Sequence, residues 1–286
     1  MSVTALDRRS RYVFALLEIS VRSRRLVSAM GLSLLAEVAA ASGAVGTDIL
    51  APHLSVGRTY SNVFSILRAI KADGYDELAR RNGGSADYTV TAAGADTWTL
   101  HTSYRYDGRP GATDDIELRE GGRVQCSRSD STTEKCDPYL DGSGLIFNPG
   151  LWGEIPRKLV AGMKWEADVP RAWELGGANG KQQVTVISVD ATTGTAVLMR
   201  EGSAEGFFGE GEPTQRQLTR DGTTETLDVV PGTAHWKGYT TVVRGLIFSD
   251  ELLVTREDSL HSKTGSNVHA TERWIMLLNA APPPTL

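Results

Sequence analysis

The sequence predicts a mainly β protein: an antiparallel β-sandwich or barrel-like sheet with a short helical segment near the mature N-terminus. Three observations carry this prediction. Turn signals recur roughly every ten residues after residue 84, and the segments between them alternate aromatic or β-branched residues with polar ones. Apolar residues at helical spacing are confined to the part before residue 84. At 40% hydrophobic and 23% charged residues over 286 positions, the chain has enough apolar material for one sizeable core.

Residues 1–44 read as a signal peptide or N-terminal leader. Arg22, Arg24 and Arg25 precede the apolar run 26–36, and small residues fill 38–44. A positive flank, a short greasy core and a small-residue exit are the parts of a secretory signal. The run is too short for a membrane span, which takes about 20 residues. Cleavage after Ala41 or Ala44 fits. Residues 23–27 loosely match a twin-arginine signal, so either export route stays open. The competing reading is two amphipathic helices, 11–20 and 26–41. Export predicts a periplasmic or secreted mature chain with no transmembrane segment.

Residues 45–84 read as a lead-in with a helix. Pro52 and His53 argue against regular structure at 46–57. Val63, Ile66, Leu67 and Ile70 then fall at i, i+3, i+4 and i+7, which favours a helix over about 61–81, interrupted near Gly74 and stopped by Asn82, Gly83 and Gly84. The competing reading is an opening strand, Thr59 to Leu67, because aromatic and β-branched residues are frequent there. Residues 85–279 read as a single β-rich domain, whose parts 85–157 and 158–279 form two halves of one structure. Between 97 and 106, Trp98, Leu100, Thr102, Tyr104 and Tyr106 fall on one face of a half-buried strand. Residues 116–119 and 123–126 make a hairpin. Residues 137–156 make a Gly- and Pro-broken loop whose Leu145, Ile146, Phe147, Leu151 and Trp152 are too apolar for idle exposure. Hairpins follow at 183–200 around Asp190–Gly194, and at 215–230 around Asp221 and Gly222. Strands are expected at 234–248, 250–256 and 267–278, with a Pro-rich tail at 280–286.

Charge narrows the partners. The formal net charge is −5, and removing residues 1–44 leaves 24 basic against 32 acidic residues, a net −8. Such a domain repels phosphate backbones, so no nucleic acid is expected as partner. Cys126 and Cys136 are the only cysteines. In an oxidising compartment they pair as a disulfide closing a short loop, worth roughly 2–3 kcal/mol on the chain-entropy argument.

The common nucleotide-binding, zinc-protease and serine-hydrolase motifs are missing, and no metal or cofactor is expected. His261 and His269 flank a polar turn, where they could face one another. Residues 201–213 place Glu201, Glu205, Glu210 and Glu212 around Phe207 and Phe208 among glycines. Read functionally this is a glycine-hinged flap over an apolar ligand; read structurally it is a solvated hairpin loop. Of the six tryptophans, Trp152 in the apolar loop and Trp236, near Tyr239, are the binding candidates.

The leading functional expectation is an exported protein that binds an apolar or amphipathic small molecule, lipid or glycan, or a cell-envelope component. Its candidate site uses Phe147, Trp152, Phe207, Phe208, Trp236 and Tyr239. The first alternative is an exported hydrolase or lyase acting on glycans or esters through Glu201, Glu205, Glu210 or Glu212 with His101 or His235. A structural envelope protein without a pocket is the second.

Overall fold

A computed structural model describes residues 45–46, 49–95, 97–107, 111–119, 123–127, 144–147, 152–154, 156, 158–169, 180–206, 214–263 and 265–281. The chain divides into two units, Met1–Gly43 and Ala44–Leu286, and the description concerns the second. The leader, Cys136, Leu151, Phe207, Phe208, Glu210, Glu212 and residues 282–286 lie outside the described residues.

The described strands are β1 (Val45–Gly46), β2 (Thr59–Ala72), β3 (Leu78–Ala93), β4 (Thr97–Tyr106), β5 (Ala112–Arg119), β6 (Arg123–Ser127), β7 (Lys158–Leu159), β8 (Lys164–Val169), β9 (Gly180–Asp190), β10 (Thr195–Ala204), β11 (Gln215–Arg220), β12 (Thr223–Val243), β13 (Leu246–His261) and β14 (Asn267–Ala280). Twelve of them form one antiparallel sheet in the order β6-β5-β4-β3-β2-β14-β13-β12-β10-β9-β8, with β11 also on β12. It consists of two meanders, β2–β6 and β8–β14, joined where the last strand pairs with the first long one, Trp274 opposite Arg68. The mainly β, antiparallel expectation is met, with the sheet beginning at Thr59, inside the stretch expected as lead-in.

The helix expected over 61–81 is not there. Those residues belong to β2, a turn and the start of β3. The cause lies in β2, which carries apolar residues on both faces. Outward Val63 and Leu67 combine with inward Ile66 and Ile70 to imitate i, i+3, i+4, i+7 spacing, although Asn62, Phe64, Ile66, Arg68 and Ile70 share one face. Gly83 and Gly84, read as a helix stop, sit inside β3. A side chain at Gly84 would collide with the ring of Phe64, so the bare backbone makes room for it. That ring stacks on Tyr104 at 5.4 Å, with Tyr106 edge-on at 5.6 Å.

Other elements fall close to expectation. Trp98, Leu100, Tyr104 and Tyr106 join one core cluster on the face predicted for them. Asp221 and Gly222 both take positive φ, 50° and 76°, as a two-residue hairpin turn requires. A second such turn at Arg244 and Gly245, φ 50° and 78°, splits the strand expected at 234–248. Arg244 hid it, because arginine is not a residue that signals left-handed backbone. β14 runs on to Ala280, one residue into the expected tail.

One face of the sheet carries the core. Two connecting segments cover it at one end. Leu54, Leu145 and Ile146 pack on β3, β4 and β5, while Ile49, Leu50, Phe147 and Trp152 pack on β9, β10 and β12. Residues 144–147 thus reach from one meander to the other. Gly144 O accepts from Asn62 Nδ2 at 2.5 Å, and Leu145 O accepts from Ile247 N at 2.8 Å. At the far end the β2–β3 turn reaches the β11–β12 hairpin: Asp76 N donates to Thr219 O of β11 at 2.8 Å, and Tyr75 Oη donates to Glu225 Oε2 of β12 at 2.6 Å.

Candidate functional site

The same four strands, β2, β14, β13 and β12, run under both covered ends, so the rows between them decide what the core face presents. One row reads Asn82, Ile66, Met276, Leu252 and Gly238 across β3, β2, β14, β13 and β12. The next reads Arg80, Arg68, Trp274, Val254 and Trp236, with Gly202 of β10 beyond. Leu252, Val254 and Trp236 are buried, whereas Ile66, Arg68, Trp274 and Met276 are only half-buried and Arg80 and Asn82 are exposed. The band therefore opens toward β2 and β3. Its floor is apolar and aromatic, and its margin is polar and cationic.

Trp236 forms the closed side. Its indole lies over Gly202 and Gly180, where an added Cβ would clash with the ring, and its Nε1 donates to Gln182 Oε1 at 3.0 Å. Trp274 forms the open side, with the Arg68 guanidinium 4.8 Å above its ring and Nε1 donating to Glu272 Oε1 at 3.2 Å.

Glu272 belongs to the network that seals the end beyond the band. Its carboxylate pairs with Arg68 Nε, with Arg256 Nη2 at 3.0 Å and with Arg216 Nη2 at 3.7 Å. Arg256 also grips Asp258 through Nε at 2.7 Å and Nη2 at 3.2 Å, and Gly232 N donates to the same carboxylate at 3.2 Å. Burial alone would raise the Glu272 carboxyl, but the charges of Arg68, Arg256 and Arg216 outweigh it and hold the group below the ordinary value. At Asp258 burial wins over Arg256, and the carboxyl is pushed up. Three guanidinium groups against two carboxylates leave this network a net positive charge when both acids are ionised.

The residues predicted for the site fall in different places. Phe147 and Trp152 are packed core, 4% and 2% exposed, with ring centroids 4.7 Å apart; Arg200 lies 5.0 Å over the Trp152 ring. They belong to the cover over one end. Trp236 lies on the core face, and Tyr239, three residues along, is 42% exposed on the outer face. The strand period puts the two apart.

The described acid/base candidates, Glu201, Glu205, His101 and His235, are not brought together. Glu201 pairs with Lys237 Nζ at 3.2 Å on the outer face, Glu205 and His235 are exposed, and His101 pairs with Asp115 at 2.8 Å on β4. His261 and His269 do not face each other: His261 stands opposite Asn267 and His269 opposite Ser259. His269 Nε2 is 2.8 Å from Glu257 Oε2. Cys126 lies in β6 opposite Ile116. Among the described residues no group of three or more His, Cys, Asp or Glu could hold a metal, and no helix is long and apolar enough to cross a membrane.

Sequence reasoning missed Ile66, Arg68, Trp274, Met276 and the network. The signal was phase. In β13, Arg256 and Asp258 occupy the same alternating positions as Leu252, Val254 and Leu260. Charges at the buried phase of a strand mark a buried network.

No family model matches the chain, and no curated protein matches it. Solved structures give distant likenesses. Lipovitellin, in a structure concerned with its lipid–protein interactions, aligns at 11% identity and a TM-score of 0.34, over 82% of this chain and 26% of that one. A conserved protein of unknown function with a hot dog fold from Alicyclobacillus acidocaldarius aligns at 9% identity and a TM-score of 0.14, over 82% and 83% of the two chains. Both scores are too low for either likeness to carry an argument.

Proposed function

We propose that the chain binds an apolar or amphipathic small molecule along the band between the two covered ends. The observation that supports this reading is the exposure of core-face side chains. Ile66, Trp274 and Met276 point the same way as the core, yet remain half-buried beside a row, Ile70, Glu272, Arg256 and Ala234, that is buried throughout. Water on such residues is unfavourable by roughly 25 cal/mol for each Å² of apolar area, so an apolar tail laid across them replaces a cost with a contact. An exported location suits a carrier of this kind, and the mature N-terminus, read from secreted material, tests it: a start after Ala41 or Ala44 is expected.

The binding test uses N-phenyl-1-naphthylamine, a neutral dye that brightens in apolar surroundings. The full chain is expected to bind it. Met276→Gln and Ile66→Gln are expected to weaken binding at least about tenfold, the order expected when a buried CH₂ contact or two is lost and a polar amide is buried. Wild-type affinity in both variants would exclude the band.

A further inference from the structure

Resting on that reading, we propose that Arg68 and Arg80 together recognise the head of the ligand, so that it is an amphiphile with an anionic oxygen head group, phosphate or carboxylate, on an apolar tail. The two arginines stand directly opposite one another on β2 and β3, on the core face at the margin of the band. Cross-strand partners have Cβ atoms about 5 Å apart, and like charges there repel. Such a pair needs a counter-charge. Arg68 has one in Glu272, which it shares with Arg216 and Arg256. Arg80 makes no ion pair with any described residue, and its same-face neighbours along β3 are Leu78 and Asn82, neither of them a carboxylate.

The surroundings strengthen the case. A domain of net charge −8 places two adjacent guanidinium groups beside its half-buried apolar residues. The charges buried behind them, Arg216 and Arg256 against Glu272 and Asp258, balance, so no excess carboxylate there neutralises the pair. Guanidinium groups hold planar oxyanions and phosphate through paired N–H donors. Arg68 is already oriented by Trp274 and Glu272, so it loses little freedom on binding. Asn82, opposite Ile66, offers a neutral amide donor next to Arg80. A tail running from this margin over Ile66 and Met276 meets apolar surface, while its head stays in water at the exposed side.

Displacement of N-phenyl-1-naphthylamine from the full chain tests the proposal, each competitor held below its micellar concentration. Dodecyl phosphate and dodecanoate are expected to displace the dye at about tenfold lower concentration than dodecanol or dodecyltrimethylammonium, the factor that one charge-assisted contact supplies. The preference is expected to shrink as salt is added, because Arg80 is exposed. Arg80→Gln is expected to reduce it to within about twofold without changing the affinity for dodecanol or the urea midpoint, and Arg80→Lys is expected to keep part of it. Equal displacement by all four tails, or an anion preference that survives in Arg80→Gln, overturns the head-group assignment and leaves the apolar band intact. Inorganic phosphate displacing the dye as well as dodecyl phosphate does would overturn it too, making a free anion the ligand. Failure of every tail to displace the dye would overturn the apolar site together with its head group.

Discussion

Two stretches of one face can be compared over the same four strands. Beyond the band, Glu272, Arg256, Asp258 and Arg216 are buried and mutually paired, the β2–β3 turn and β11 close over them, and Leu218, Leu227 and Leu260 complete the packing. Two to four residues along the same strands, Arg68, Trp274, Met276 and Ile66 are half-buried. Strand identity, face and register do not differ between the two. Cover does. Residues 49–54, 144–147 and Trp152 reach one end, the turn at 73–77 reaches the other, and among the described residues neither cover comes to the rows between. An opening in a β sheet can therefore be set by where the connections stop, with no change in the sheet itself.

Paired truncations sharpen this comparison most. Trp152→Ala, in the cover, removes a side chain that is 2% exposed and in contact with Phe147 and Arg200. It is expected to cost about 3–5 kcal/mol, as loss of a fully buried aromatic does. Met276→Ala, in the band, removes a half-buried one and is expected to cost about 1 kcal/mol. Urea unfolding of both variants measures the contrast. Equal losses would mean that the band is as tightly sealed as the ends.

The network end can be broken through its shared acid. Glu272→Gln keeps the volume but leaves Arg256 and Arg216 buried with less counter-charge, and is expected to cost about 3 kcal/mol at neutral pH. Its pH dependence has a definite sign. The folded Glu272 carboxyl lies below its unfolded value, so its contribution is full above the unfolded value and is lost as pH falls through the folded one. Asp258 runs the other way. Its folded value is raised, so its contribution is full below the unfolded value and is lost as pH rises through the folded one. Between about pH 6 and pH 3, the urea midpoint of Glu272→Gln should fall less steeply than that of the wild type. A steeper fall would show that the guanidinium groups do not hold Glu272 ionised.

These contrasts also explain what was legible in the residues beforehand. Where one face of a strand is apolar and the other polar, as in β4 with Leu100 and Thr102 inward and His101 outward, alternation is plain and the face assignment follows. Where both faces carry apolar residues, as in β2, the period of two vanishes and a helical reading wins. That is why Ile66 and Arg68 were hidden inside an expected helix. Trp152 was conspicuous for its size, but size does not distinguish a residue that covers a core from one that lines an opening. The difference depends on where residues 144–147 and Trp152 lie, a long-range fact that local spacing cannot encode. Arg80 beside Arg68 depends likewise on the pairing of β2 with β3, which only the register supplies.

The smallest expected effect separates the band from the outer face. Leu253, Leu277 and Tyr239 are 44%, 37% and 42% exposed there, on β13, β14 and β12. Leu253 stands between Ile275 and Lys237, one residue from Leu252, which is buried in the band's floor. Exposed apolar residues on a solvated sheet face contribute little when truncated, and Leu253→Ser is expected to change stability by no more than about 0.5 kcal/mol. It is also expected to leave dye binding unchanged, whereas Leu252→Ser, one position along and on the opposite face, should lower both stability and dye affinity. If Leu253→Ser weakened dye binding as much as Leu252→Ser did, the apolar ligand would be sitting on the outer face, and the gap between the covered ends would have lost its claim to be the binding surface.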